Sequence, residues 1–524
     1  MTDFNLADLF ELVADTVPDR EAMVSGSRRL TYAQLDERAT RLAHALADRG
    51  IVAGDHVGLH LYNSTEYIEG MLAAFKLRAV PVNVNYRYVA DELRYLFADA
   101  DLRAVIHEPA FAGIVDEIRG DVPMLAWTVA RGDEYEQALA AAAPERDFAP
   151  RSGDDLYILY TGGTTGMPKG VMWRQDDIFV AAFGGSTVGS ADEVAERVVA
   201  GRTRCLPACP FMHGTAHWMA FSAFYQGGSV VVSPDAHLDP AAVWQLVADE
   251  RVTFLVIVGD AFARPLVEVL GDGPPDERPW DLSSLTAILS GGAILSPSVK
   301  EQLVARLPDV IVVDGYGASE TGGQGQMIAA AGASTSGRPR FQVGADTQVL
   351  DDALRPVSPG SGIVGRVARR GRVPLGYYKD EAKSAVTFPV VDGERWAVPG
   401  DLATVEADGT ITLLGRGSVS INTGGEKVFP EEVEACLKSH ATVFDAVVVG
   451  VPDERWGQRV TAVVSVREGM EAPTVDELAA HCRASLAGYK VPRSLVVVDA
   501  VLRSPSGKPD YRWARERAEA ALAG

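Results

Sequence analysis

The sequence predicts an α/β protein whose covered sheets are followed by a separate, smaller α+β unit. Three observations predict it. As far as about Arg338, unbroken Val/Ile/Leu runs alternate with amphipathic helical segments, the pattern of strands buried on both faces. From Arg338 to Leu414 the pattern changes to short alternating strands with many Gly and Pro turns. After Arg416 the helix and strand signals restart as a compact unit.

Taken in order, Thr31-Tyr-Ala-Gln34 is a capping box, and Leu35, Ala39, Leu42 and Leu46 recur at helical spacing until Gly50 ends the helix. A strand His56–Leu61 and a helix to about Arg78 follow. Pro240–Val252 reads as helix, Phe254–Val258 and Leu285–Leu289 as continuous apolar strands, Pro297–Leu307 as helix and Val310–Val313 as strand. Asp408-Gly409 marks a hairpin. The last unit reads as helix Pro430–Lys438, strands Ala446–Val451 and Val460–Val466, helix Val475–Leu486 and strand Leu495–Val498. The expected domains are therefore 1–416 and 417–524.

Forty-nine basic against 71 acidic side chains give a formal charge of −22. Broad nucleic-acid or anionic-membrane binding needs a basic surface, so neither is expected. A small anion is still admissible, because a local nest of amides can hold a phosphate. Four cysteines in 524 residues cannot form a disulfide scaffold. Cys205 and Cys209, spaced C-x3-C with no second pair nearby, read as ordinary buried thiols rather than a zinc site. The expected compartment is a reducing cytosol. The acidic first twenty residues do not resemble a signal peptide, and no apolar run reaches the 18 or so residues that span a bilayer.

Glycine is in excess, at 51 residues, and three clusters share one context. Leu156–Tyr160 runs into Thr161-Gly-Gly-Thr-Thr-Gly-Met-Pro-Lys-Gly170. Leu285–Leu289 runs into Ser290-Gly-Gly-Ala293. Val310–Val313 runs into Asp314-Gly-Tyr-Gly-Ala-Ser-Glu-Thr-Gly322. Each follows the carboxyl end of an apolar strand, where open α/β sheets place their ligands. Glycine there lets amides approach an anion. The first loop, with its hydroxyls and Lys169, suits a polyphosphate. It is not a Walker loop, because Pro168 precedes the lysine and Gly170 follows it, so P-loop kinases and ATPases are disfavoured.

TGGTTGMPKG, DGYGASETGG, Gly400-Asp401-Leu402, GRGSVSINTGGEKVFPEEVE and PSGKPDYR stand in the order and spacing of the acyl-adenylate-forming family, and the sequence is identified by resemblance as a member. That family comprises acyl-CoA synthetases, peptide-synthetase adenylation domains and beetle luciferase. The resemblance covers nearly the whole chain. It implies a large N-terminal domain of three subdomains, two covered sheets and a distorted β-barrel, with a small mobile C-terminal domain. It also implies two half-reactions: a carboxylate attacks the α-phosphate of MgATP to give acyl-AMP and pyrophosphate, and a thiol then attacks the acyl-AMP. ATP, Mg2+ and coenzyme A are the implied cofactors, a small carboxylic acid the partner, and a homodimer a candidate assembly.

The resemblance assigns roles by position. Thr161, Gly162, Gly163, Thr164, Thr165, Gly166 and Lys169 would hold the β- and γ-phosphates; Gly162 stands where relatives usually carry Ser. Gly291, Gly292 and Ala293 would flank the adenosine, with Asp314, Gly315, Tyr316, Gly317 and Ser319 lining the same nucleotide and Tyr316 stacking on adenine. Glu320 and Thr161 would bind Mg2+. Asp401 would accept the ribose hydroxyls, with Arg416 beside it. Lys508 would stabilise charge at the attacking carboxylate and α-phosphate. His213 would line the carboxylate end of the acyl pocket, with a structural core histidine as its competing reading. Ser418 stands at the hinge, where Asp or Lys is usual. Gly424, Gly425, Glu426 and Lys427 would meet the pantetheine of CoA.

Val171-Met-Trp-Arg-Gln-Asp176, Val258-Gly-Asp-Ala-Phe262 and GRGSVSINTGGEKV look most like the actinobacterial fatty-acid and sterol side-chain CoA ligases. The expected activity is therefore ATP-dependent ligation of a hydrophobic acid, fatty or steroid-linked, to CoA. A CoA-independent acyl-AMP ligase, a luciferase-like oxidase and a non-catalytic nucleotide sensor are the alternatives.

Overall fold

The computed structural model describes the chain except residues 1–2, 164–165, 272, 274–276, 331–338, 424–425, 454, 505–506 and 524. The capping box forms as the sequence implies. Gln34 N–H donates to Thr31 Oγ1 at 3.2 Å, and Thr31 N–H donates to Gln34 Oε1 at 2.9 Å, opening the helix Tyr32–Asp48. Its apolar side, including Leu35, Ala39, Leu42 and Leu46, is buried.

Four parallel strands, in the order Val80–Asn83, His56–His60, Leu102–His107 and Trp127–Ala130, form one sheet. A second, much larger sheet has Arg28–Thr31 at its edge, antiparallel to Glu21–Ser25, which begins a parallel run through Ser229–Val232, Arg204–Pro207, Phe254–Ile257, Ala287–Gly291 and Ile311–Ala318. It then turns antiparallel at Gly322–Ala329 and runs on through Arg340–Val343 into the β-rich stretch, ending at Val390–Val391. The hairpin read at Asp408-Gly409 pairs Asp401–Val405 with Ile411–Arg416.

The strand register explains where expected boundaries shift. The strand expected at Val310–Val313 continues to Ala318, because a second glycine-rich strand lies against it: Tyr316 faces Gly325 and Gly317 faces Gly323. The strand expected at Leu285–Leu289 lies two residues further on and includes Gly291. Propensity stops a strand at glycine, but ladder pairing extends it.

Between Arg416 and Ile421 the chain leaves this sheet for a five-stranded one. There Val443–Asp453 and Gly457–Val466 form a long antiparallel pair, and Ser494–Val498 adds parallel to it. Alternate residues serve opposite faces. Ala446 and Val448 pack with Val433, Leu437 and Leu478 of the helices Pro430–Lys438 and Val475–Arg483. Val447, Val449 and Val451 pack with Ala514 and Ala518 of the helix Tyr511–Ala523.

The small unit docks on the helix Gly259–Leu270. Lys438 Nζ lies 2.9 Å from Asp260 Oδ2, with both side chains at most 5% exposed. Asp260 Oδ1 accepts the Ser296 N–H at 2.7 Å, Arg264 stands 3.6 Å from Oδ2, and Arg467 pairs with Glu268 at 2.7 Å. Among the described residues no helix is long and apolar enough to cross a membrane.

Candidate active site

A cavity of about 1120 Å³ opens where the glycine clusters meet. Its walls include Thr161, Gly162, His213, Gly291, Gly292, Gly315, Tyr316, Gly317, Ser319 and Lys508. Residues up to 347 positions apart in sequence, from Thr161 to Lys508, thus face one space.

In the segment expected at the phosphates, Thr161–Gly163 and Gly166–Gly170 lie on paired strands. Leu156–Gly163 pairs with Gly166–Arg174, and Thr161 stands directly across from Lys169. Directly opposed residues share a face of the ribbon. Thr164 and Thr165 lie outside the described residues, and Gly163 and Gly166 are described for their backbone alone. The hairpin is tied down on both arms. Buried Asn83 donates to Tyr160 O at 2.8 Å and Met212 O at 2.7 Å, while its Oδ1 accepts the Tyr160 N–H at 2.7 Å. Trp173 Nε1 donates to Ser319 O at 3.0 Å.

Asn63 fixes the segment before His213, accepting from Phe211 N–H at 2.6 Å and donating to Cys209 O at 2.9 Å. His213 is half-buried, and its Nε2 is buried with no hydrogen-bond partner among the described residues. Burial, then the nearby Lys508 charge, push its pKa down to about 3, so the ring is neutral. His217 is the satisfied core histidine: it bonds Phe211 O at 2.6 Å through Nδ1 and Tyr157 Oη at 2.5 Å through Nε2, and Trp218 Nε1 donates to Tyr157 Oη at 2.9 Å.

Gly292 has φ +85°, and a Cβ there would approach Thr215 Oγ1 to 3.1 Å. Glycine at this turn keeps the wall thin and the backbone in the left-handed region. Ala293, expected beside it, packs against Gly259 and is not a cavity wall.

Asp314 corrects an expectation. Its carboxylate does not face the cavity; it accepts Lys300 Nζ at 2.7 Å, with both side chains buried. Even beside that cation, burial raises its pKa to about 6. Asp314 is buried on its strand by this ion pair, while Tyr316, two residues on, reaches a cavity wall. Tyr316 Oη donates to Asp401 Oδ2 at 3.0 Å, so the two residues expected at the adenine and the ribose are linked to each other. Asp401 stands opposite Arg416 on the hairpin. The Arg416 and Ser418 side chains lie outside the described residues.

Glu320 Oε1 accepts the Tyr377 hydroxyl at 2.8 Å. Lys169 pairs with Asp380, and its ammonium lies 5.9 Å from the centre of the Tyr377 ring. Tyr377 and Asp380 were absent from the expected site; the only signal was Gly376-Tyr377 at the end of a β-rich run. No three His, Cys, Asp or Glu side chains among the described residues form a metal cluster. A hard cation such as Mg2+ takes one or two protein carboxylates and completes its shell with phosphate and water. Glu320 and the Thr161 hydroxyl supply the oxygen donors such an ion takes.

Lys508 arrives on a braced loop. Ser504 N–H donates to Lys508 O at 2.8 Å, and Lys508 N–H donates to Ser504 Oγ at 3.2 Å. Arg503 donates to Gly507 O at 2.9 Å, and is itself held by both Asp445 oxygens at 2.6 and 2.7 Å. Of the expected CoA segment, Glu426 and Lys427 do not line the cavity. Glu426 and Lys427 are exposed on the strand Glu426–Val428, and Gly424 and Gly425 lie outside the described residues.

Comparison with known proteins agrees with this arrangement. Residues 10–378 match the AMP-binding enzyme family, and residues 432–508 the AMP-binding enzyme C-terminal domain. The chain is 48% identical to the 3-oxocholest-4-en-26-oate–CoA ligase of Rhodococcus rhodochrous, over 98% of this chain and 96% of that protein. It is 47% identical, over 98% and 96%, to the medium/long-chain-fatty-acid–CoA/3-oxocholest-4-en-26-oate–CoA ligase of Mycolicibacterium smegmatis. ATP-bound MatB from Rhodopseudomonas palustris superposes with a TM-score of 0.83 at 25% identity, covering 98% of this chain and 99% of that one. The chain belongs to the AMP-binding, acyl-adenylate-forming enzyme family, on its branch of actinobacterial acyl-CoA ligases.

Proposed function

We propose that the protein is an ATP-dependent acid–CoA ligase that activates a bulky hydrophobic carboxylic acid, medium- to long-chain fatty or steroid-linked. One observation carries the reading: Lys508, from the small unit, shares a cavity wall with Thr161, His213, Gly291 and Tyr316. A nucleotide sensor has no need of a lysine delivered by a second domain to the point where acid and α-phosphate meet.

In this reading residues 1–416 form the adenylating body and 417–524 the moving cap, with Ser418 at the hinge. Tyr316, Gly291, Gly292 and Asp401 orient the adenosine, and Thr161 to Lys169 take the β- and γ-phosphates. Glu320 and Thr161 hold Mg2+, which neutralises phosphate charge when bound. The neutral His213 ring lies beside the acid without adding a charge of its own. The carboxylate oxygen attacks the α-phosphorus, the α–β bridging bond breaks, and pyrophosphate leaves with the electron pair. Lys508 stabilises the charge that builds on the in-line oxygens. The thiol of CoA then displaces AMP once the cap has turned and withdrawn Lys508.

Support for a hydrophobic acid comes from the cavity walls Met212, Trp218, Met219, Val180 and Ala181, and from the substrates named for the two relatives. The four cysteines are free thiols, consistent with a cytosolic setting. A panel of acids in a CoA-dependent AMP-release assay tests the proposal. The highest kcat/KM is expected for a long-chain or steroid-linked acid. Acetate, benzoate or an amino acid as best substrate refutes the acyl assignment, and AMP release independent of CoA refutes the acceptor.

A further inference from the structure

Lys169 is expected at the triphosphate, yet it is not among the cavity walls, while its cross-strand partner Thr161 is. Its ammonium is bonded to Asp380 Oδ2 and lies against the face of Tyr377. Asp380 is itself braced: Oδ1 accepts the Lys383 N–H at 2.9 Å and caps the helix Glu381–Thr387. Gly376-Tyr377, just before it, is laced to the phosphate hairpin, facing Met172 and Val171. The hydroxyl of the same Tyr377 holds Glu320. One short segment thus holds the phosphate lysine with one residue and the magnesium carboxylate with another.

We propose that Asp380 is a positioning residue that parks Lys169 outside the cavity between turnovers and retrieves it when pyrophosphate leaves. The inference rests on the reading of Thr161–Gly170 as the triphosphate site. A carboxylate fixed by a helix N-terminus cannot follow the lysine inward, so ATP must take Lys169 from Asp380, and departing pyrophosphate loses the lysine back to it. The ion pair therefore opposes triphosphate and pyrophosphate binding alike, and it does so without touching acid or CoA.

Asp380→Asn keeps the helix cap, since Asn caps as well as Asp, and removes the charge. The pair is part-exposed, with side chains 41% and 29% accessible, so the effect is that of one such pair, roughly two- to five-fold. Asp380→Asn is expected to lower KM for ATP by that factor. It should tighten product inhibition by pyrophosphate equally and leave KM for acid and CoA unchanged. In a Lys169→Met background the same substitution should move neither constant. A raised or unchanged KM for ATP in Asp380→Asn overturns the parking role, as does a shift that persists without Lys169. Lys169→Met alone separates the two readings: if it leaves KM for ATP unchanged, the triphosphate assignment fails and the parking role falls with it. If it raises that KM while Asp380→Asn does nothing, only the parking role fails.

Discussion

Replacing Lys438 by Met tests whether the docked arrangement of the small unit serves adenylation alone. Lys438 and Asp260 are 4% and 5% exposed and 2.9 Å apart, and they belong to the two units that the proposed cap motion separates. Removing one partner of a buried pair strands the other charge, at about 3–5 kcal/mol. Asp260 would keep the Ser296 N–H at 2.7 Å and Arg264 at 3.6 Å, so part of that charge stays compensated and the cost falls below that range, to about 2–3 kcal/mol. The cost falls only on the docked state, because an undocked Asp260 is hydrated. Acid-dependent ATP–pyrophosphate exchange should therefore fall by roughly 30- to 150-fold. Thioester formation from supplied acyl-AMP and CoA should hold within about two-fold, within the scatter of a neutral surface substitution. Equal losses in both assays would refute the reasoning, since they would mean the pair supports the fold and not one arrangement of it. An unchanged exchange rate would refute it too.

Lys508→Ala should abolish pyrophosphate release, by about 10²–10³ or more, and largely spare thioester formation from supplied acyl-AMP; retained adenylation would remove Lys508 from its role. Glu320→Gln should raise the magnesium concentration for half-maximal exchange roughly ten- to hundred-fold, read from a magnesium titration at fixed ATP. His213 should contribute no limb to the adenylation pH profile between pH 5 and 8, because its pKa of about 3 lies below its ordinary 6.5. The sign for stability follows: the neutral ring favours the folded state above pH 6.5, and that contribution is lost as pH falls toward 3, the unfolded chain taking the proton first. A His213→Gln variant whose pH–rate profile loses an ionisation near 6.5 would overturn this.

The chain's punctuation and apolar runs made much of the fold legible. Thr31 and Gln34 form the box their spacing implies, and the helix Pro430–Lys438 has the bounds its sequence suggests. Glycine-rich stretches read as cavity-facing loops, and several line the cavity, but not as strands, because Tyr316 and Gly317 are held extended by Gly325 and Gly323 across the ladder. A ladder is a long-range fact that propensity does not contain. The site divided the same way. Residues carried by motifs, such as Thr161, Tyr316 and Lys508, meet at the cavity. Asp314 belongs to a motif too, yet Lys300, on a helix fourteen residues away by number, claims its carboxylate. Tyr377 and Asp380 escaped notice because their partners Glu320 and Lys169 lie 57 and 211 residues distant.

Asn83 has a consequence for anyone reshaping the acid pocket. Its side chain spends three hydrogen bonds joining Tyr160, at the base of the phosphate hairpin, to Met212, the neighbour of His213. On the proposed reading, one mechanical part therefore borders both substrates. A loop redesigned around Met212 to admit a wider acid tugs on the strand that presents Thr161. Changes in acid preference obtained there should arrive with changes in nucleotide affinity, and second-site variants that restore the latter are best sought around Asn83 and not within the acid pocket.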